Sequence, residues 1–377
     1  MTKQYRMLFL DQFGEIGGGQ RIALDLVSAF HERGWAITVL CPSGPLMQEM
    51  FGRGAHVQEI TLPKMTSGRK SLMTYLRSWI VARRIVQSHW SLAESADLIV
   101  INGPRTLGIA RQWVRSLRKP AVVYLHGLYG TFENIIFRSF LRLPRTAAIA
   151  ASPLIAEPFS FLKNVHCIHN WVSKEFLMSP AAPDRLRSVL RITDRDPIIL
   201  IPGRFSPNKG QLMALEASSL LYDVRCHFVF SGAVLFEERG RHVAEVLHQA
   251  ALTQPQRIHV IDWQEPLPSL FDGADLVLVP SLWQEPFGLT AIEAMARARP
   301  LIVSDRGMLP RLADGGRVAC VITPTPQAIA DAIREFLAHR EQWMERANLS
   351  REFVEQTFHP DVQRAAVLHV CASLLSA

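Results

Sequence analysis

Short apolar runs recur along this 377-residue chain, and segments with helical periodicity separate them. This alternation restricts the possible folds more than any single motif does. Runs at 7–10, 37–39, 98–101, 122–125 and 147–151 form one set, and runs at 198–201, 227–231, 258–261, 276–279 and 301–304 form a second. Continuous apolar strands that alternate with helices imply parallel sheets covered by helices on both faces. The length suits two such domains, and a hydrophobic content of 48% is enough for two cores. Between the two sets, the stretch 170–197 contains Pro180, Pro183 and several small or charged residues, and it reads as containing a linker. The expected division is 1–172 for the first domain, 173–195 for the linker region, 196–357 for the second domain and 358–377 for a last helix.

Four places carry candidate chemistry, each where an apolar strand ends. The run 276–279 leads into Pro280-Ser281-Leu282-Trp283-Gln284-Glu285-Pro286-Phe287-Gly288-Leu289 and then a helical segment that contains Glu293. Backbone N–H groups at a helix start attract phosphate, and carboxylates accept hydrogen bonds from hydroxyls. A ligand with both phosphates and hydroxyls, such as a nucleotide-sugar, suits this combination. The plainer alternative is a strand and helix whose glutamates face solvent. The run 198–201 leads into Pro202-Gly203-Arg204-Phe205-Ser206-Pro207-Asn208-Lys209-Gly210, which sets two cations beside a helix start. Such a pair can neutralise a diphosphate, and a solvated turn is the alternative. Near the amino terminus, Gly17-Gly18-Gly19 joins the first strand to a helical pattern. It fits either a phosphate cradle or a flexible turn, and Ile22 spoils the dinucleotide fingerprint. Finally, 121–125 ends in His126-Gly127, at the strand end where open α/β sheets bind ligands.

Taken together and in this order, these segments resemble retaining glycosyltransferases of the GT-B fold, family 4. Glu285 and Glu293 match its E-x7-E motif, and Arg204 with Lys209 match its GR-x-x-x-x-KG loop. The resemblance implies two Rossmann-like domains facing across a cleft, with the last helix crossing back to the first domain. It implies that Arg204 and Lys209 hold the donor's diphosphate, Glu285 the transferred sugar and Glu293 the ribose, with His126 near the sugar. Gly18, Gly19, Gly203, Gly232, Pro286, Phe287, Gly288 and Leu289 complete the expected donor contacts. Front-face attack by the acceptor is the implied route. Departures from the family pattern are Ala298 at a usual glycine and Arg311 at a usual acidic position. Two alternatives remain, a GT-B nucleotide-sugar epimerase and an inactive sugar-nucleotide-binding subunit.

No Asp-x-Asp stands out, so neither a metal nor another cofactor is expected beyond the donor itself. The five cysteines, Cys41, Cys167, Cys226, Cys320 and Cys371, lack metal-ligand spacing and suit a reducing cytoplasm. The apolar run 7–10 is too short for a signal peptide and is better used as a strand, and no run is long enough for a membrane span. The net charge of +7 is uneven, with 21 Lys and Arg against 11 Asp and Glu in residues 1–175. Six of these cations (Lys64, Arg69, Lys70, Arg77, Arg83 and Arg84) interleave with Leu72, Met73, Leu76, Trp79, Ile80, Val81 and Ile85 at helical spacing. A basic amphipathic helix of this kind suits an anionic membrane surface, and a helix packed on the sheet with a solvated basic face is the alternative. No nucleic-acid recognition motif accompanies the charge. The expected partners are a nucleotide-sugar and a glycan or lipid-linked acceptor. The expected location is the cytoplasm, either free or at the inner face of the membrane.

Overall fold

The computed structural model describes residues 4–62, 72–235, 239–262 and 267–376. Lys64, Arg69 and Lys70 of the basic stretch lie outside the described residues. The chain forms two compact units, Met1–Asn170 with Asp361–Ala377, and Trp171–Pro360. The first contains β1 (Arg6–Asp11), β2 (Ala36–Cys41), β3 (His56–Glu59), β4 (Leu98–Asn102), β5 (Ala121–Leu125), β6 (Thr146–Ala150) and β7 (Val165–Cys167). They pair in parallel in the order β3-β2-β1-β4-β5-β6-β7. The second contains β8 (Ile198–Pro202), β9 (His227–Ser231), β10 (Ile258–Ile261), β11 (Leu276–Val279), β12 (Leu301–Ser304) and β13 (Cys320–Ile322), ordered β10-β9-β8-β11-β12-β13.

Both sheets reverse direction of growth once, between β1 and β4 and between β8 and β11. Loops splay apart at such a point, which makes it the ligand crevice of an open parallel sheet. The central strands are apolar along their interiors because both faces are covered. In the second unit, Ile198, Leu200, Val277 and Val303 pack into one core. Their neighbours Ile199, Ile201, Leu278 and Ile302 pack into the other. Each such side chain removed from water contributes about 1.5–3 kcal/mol.

Three features differ from the sequence reading. β3, β7 and β13 had no apolar run to announce them. They are edge strands, covered less completely, and their residues are mostly half-buried or exposed. The helix after β1 starts at Gly18, so Gly18 and Gly19 form its first turn rather than a loop. Gln20 fixes that start, because its Oε1 accepts from the Gly17 N–H at 3.3 Å. The segment 173–195, read as containing the linker, belongs to the second unit. Phe176 and Leu186 sit in that unit's core, and the buried Arg297 donates to the Phe176 and Ser179 carbonyls at 3.0 Å each. After the second unit, the helix Pro360–Ser376 returns to the first. Arg364 pairs there with Asp25, and Arg145 donates to the Leu374 carbonyl at 3.0 Å.

Candidate functional site

In the second unit, the candidate residues gather at the reversal point. The loop after β8 carries Gly203, Arg204 and Lys209, and the loop after β11 carries Glu285. The two loops are stitched by Leu282 N–H donating to the Asn208 carbonyl at 2.9 Å. Gly210 allows this approach. It has φ of +74°, and a Cβ there would lie 2.0 Å from the Pro280 carbonyl oxygen. The result is a direct ion pair, with Lys209 Nζ 2.9 Å from Oε1 and 2.8 Å from Oε2 of Glu285. Ser281 Oγ and Trp283 Nε1 also donate to Oε2, at 2.9 and 3.1 Å. The Trp283 ring lies 5.9 Å from the ammonium.

Glu285 is only 7% exposed. Burial opposes its ionisation, but the Lys209 charge and the hydrogen bonds from Lys209, Ser281 and Trp283 outweigh burial, leaving its pKa below the usual carboxylate value. Beyond it, Phe287 is buried against Phe358, which leaves its backbone as the part able to meet a ligand. Pro286 precedes it, and Gly288 caps the helix Leu289–Ala296 without a side-chain hydrogen bond. Glu293 lies in that helix and is buried. Gly203 N–H donates to the Ser231 carbonyl and Phe205 N–H to the Ala233 carbonyl, so the loop containing Gly232 borders the one containing Arg204.

The first unit has a second cluster at its own reversal point. Asp11 ends β1 and pairs in register with Asn102, which ends β4. Asn102 Nδ2 donates to Asp11 Oδ2 at 2.6 Å, and Asn102 Oδ1 lies 2.7 Å from His126 Nε2. Gln20 Nε2 donates to Asp11 Oδ1 at 3.0 Å. The Tyr124 ring stacks on His126 at 4.4 Å, and a Cβ at Gly19 would lie 3.1 Å from the imidazole. The glycine-rich segment and His126 are therefore neighbours. Burial lowers the His126 pKa to about 3, so the ring is neutral at physiological pH. Burial raises the Asp11 pKa to about 6 despite the hydrogen bonds from Asn102, Phe13 and Gln20.

Several of these partners were not among the residues expected from sequence. Ser281 and Trp283 hold the Glu285 carboxylate, and Asn102, Asp11 and Gln20 lead to His126. A usable signal existed for Asp11 and Asn102, since each is a polar residue closing an apolar strand, as His126 follows β5. Among the described residues, Asp194, Asp196 and His227 bring ligand-type atoms within 4.8 Å of one another. That group sits at the amino end of β9, opposite to the Lys209–Glu285 loops.

The glycosyl transferases group 1 family matches residues 183–355, and Glycosyltransferase Family 4 matches residues 16–176. Spore coat protein SA of Bacillus subtilis is 28% identical over 184 residues, 47% of this chain and 48% of that protein. Mannosylfructose-phosphate synthase of Agrobacterium fabrum is 27% identical over 248 residues, 62% of this chain and 54% of that protein. The chain thus spans about half the length of these curated relatives. The Anabaena HepE protein, solved in complex with UDP and glucose, superposes with a TM-score of 0.81 at 22% identity, covering 98% of this chain and 100% of that one. Sucrose-phosphate synthase from Thermosynechococcus elongatus gives 0.78 at 18% identity, covering 99% and 100%. These likenesses establish the GT-B fold, and the two family matches cover successive parts of the chain. By family, residues 16–176 belong with Glycosyltransferase Family 4 and residues 183–355 with the glycosyl transferases group 1.

Proposed function

We propose that this protein is a retaining glycosyltransferase that moves a sugar from a nucleotide-diphosphate donor to a hydroxyl of a glycan or lipid-linked acceptor. The observation that carries this reading is the Lys209–Glu285 pair beside the start of the helix Leu289–Ala296, whose cap makes no side-chain hydrogen bond. A cation, backbone N–H groups and a carboxylate at one reversal point match a diphosphate bound next to sugar hydroxyls. HepE, one of the structural relatives, was solved with UDP and glucose, which supports a nucleotide-sugar donor.

In this reading Arg204 and Lys209 neutralise charge as it develops on the departing diphosphate, where positioned cations lower a barrier most. Gly203, Gly232 and the amides from Pro286 to Leu289 line the donor. Glu285 accepts from sugar hydroxyls and Glu293 from the ribose. His126, flanked by Gly18 and Gly19, serves the transferred sugar, and the acceptor hydroxyl attacks from the face the diphosphate leaves. Lys209 already neutralises Glu285, so an arriving diphosphate competes for the ammonium and leaves Glu285 an uncompensated acceptor for hydroxyls. The protein cations replace a divalent metal, and no other cofactor takes part. The site of action is the cytoplasm or the inner membrane face.

A transfer assay with UDP-, GDP- and ADP-sugars tests the reading, run with and without candidate acceptors and with a chelator. The expected result is acceptor-dependent transfer with retained anomeric configuration that survives EDTA. Sugar isomerisation without acceptor would indicate an epimerase instead. Restoration of an EDTA-abolished rate by Mg²⁺ or Mn²⁺ would remove the metal-free mechanism.

A further inference from the structure

His126 has two ring nitrogens with unlike surroundings. Nε2 faces Asn102 Oδ1 at 2.7 Å, while Nδ1 is buried and has no hydrogen-bond partner among the described residues. A buried, unpartnered imidazole nitrogen is costly unless a ligand completes it.

The hydrogen-bond chain behind the ring determines which nitrogen holds the proton. An ionised Asp11 can only accept, so the Asn102 group that faces it must be the amide NH₂. The other end of that amide, Oδ1, then faces His126 and can itself only accept. Nε2 must therefore carry the hydrogen. Because the ring is neutral, Nδ1 is left with a bare lone pair. Gln20 Nε2 and the Phe13 N–H both donate to Asp11 Oδ1, which keeps the carboxylate an acceptor at its other oxygen too. Tyr124 stacked on one face and Gly19 beside the ring hold its plane.

We propose that Asp11 and Asn102 are positioning residues that hold His126 as the Nε2-protonated tautomer, leaving Nδ1 as the acceptor for a hydroxyl of the sugar substrate. The assignment of the hydroxyl to a sugar rests on the glycosyltransferase reading; the tautomer does not. With the opposite tautomer, Nδ1–H would donate, and a substrate hydroxyl would have to use its oxygen lone pair instead.

The test uses the full chain labelled with ¹⁵N-histidine at pH 8, above the Asp11 value of about 6. Long-range ¹H–¹⁵N correlations report the tautomer, and the His126 signals are assigned by their loss in His126→Gln. The expected pattern is protonated Nε2 with an unprotonated Nδ1, and a shift of the Nδ1 resonance on adding UDP-glucose, GDP-glucose or ADP-glucose. A protonated Nδ1 in the free protein overturns the relay, and this measurement needs no folded variant beyond the assignment control. Asp11→Asn removes the obligate acceptor, so it should populate both tautomers and lower turnover roughly tenfold or more, as wrong-tautomer variants do. An Asp11→Asn protein with the wild-type tautomer and the wild-type rate also overturns the relay. If the tautomer is as expected but no sugar nucleotide moves Nδ1 and no transfer occurs, the relay stands and the sugar-substrate assignment fails.

Discussion

Lys209 touches both oxygens of Glu285, so its removal has two separable consequences. For the reaction, Lys209→Ala is expected to lower turnover by roughly 10²-fold or more, the usual effect of losing a contact made to transition-state charge. A wild-type rate would refute the leaving-group role. For stability, the sign follows from the depressed pKa of Glu285. A folded value below the unfolded one adds stability that is present above the ordinary carboxylate pKa and disappears as pH falls through the folded value. Acid unfolding should therefore show this contribution in the wild type. In Lys209→Met it should be missing, because burial then raises the carboxyl. Superimposable acid transitions would show that the pair adds nothing. A second residue-scale case is Ala298. Its φ is +50°, a left-handed conformation that costs an alanine about 1–2 kcal/mol. Glycine relieves the strain but loses more chain entropy on folding, about 0.5–1 kcal/mol relative to alanine. Ala298→Gly should stabilise slightly, by up to about 1.5 kcal/mol, and raise the denaturation midpoint accordingly. A lower midpoint would mean the strain has been absorbed elsewhere.

At the scale of elements, the segment 173–195 shows what pattern reading finds and what it misses. Pro180 and Pro183 do interrupt regular structure, and the local signal of a linker is real. The contacts that bind the segment to the second unit are non-local. Arg297 and Asp272, each 4% exposed at the side chain, form a two-pronged pair at 2.7 and 2.8 Å. Asp272 also accepts from the Ala182 N–H at 3.0 Å, while Arg297 holds the carbonyls of Phe176 and Ser179. No periodicity encodes an arginine acting on a chain more than a hundred residues earlier. Strands covered on both faces were legible for the same reason in reverse: burial forces continuous apolar runs on β4, β5, β9 and β11. The site divides similarly. Lys209 and Glu285 could be read from their loops, whereas the Asp11–Asn102–His126 chain depends on the register of β1 and β4. Arg297→Ala leaves Asp272 buried without its charge partner, and denaturant unfolding should show a loss of about 3–5 kcal/mol. Replacing both partners by apolar residues of similar volume should lose much less. If Arg297→Ala unfolded like the wild type, the segment would be held by apolar packing alone.

For the whole molecule, the uneven charge is the feature that a fold description leaves unused. Residues 1–175 carry 21 basic against 11 acidic residues. Within them the helix Leu72–Ser88 forms as the spacing implied, with Arg83 and Arg84 exposed. The apolar stripe divides. Ile85 and Val86 are buried, and Val86 offers its carbonyl to Trp113 Nε1 at 3.1 Å, while Ile80 is 38% exposed. The carboxyl end of the helix is thus committed to the core of the first unit, so adhesion to a membrane there must be mainly electrostatic. Among the described residues no helix is long and apolar enough to cross a membrane. Each basic residue near an anionic surface contributes about 1 kcal/mol, an attraction that falls off within a Debye length as salt rises. Sedimentation with anionic vesicles should therefore show binding at low salt that weakens steeply toward high salt, and neutral vesicles should bind poorly. Charge reversal at Arg77, Arg83 and Arg84 should reduce vesicle binding by roughly 10²-fold or more, since three attractions of about 1 kcal/mol each become repulsions. Donor binding, measured by thermal shift with the sugar nucleotide that stabilises the wild type, should be unchanged. If the protein ignores anionic vesicles even at low salt, the basic face serves solvation alone, and a soluble glycan becomes the acceptor to test first.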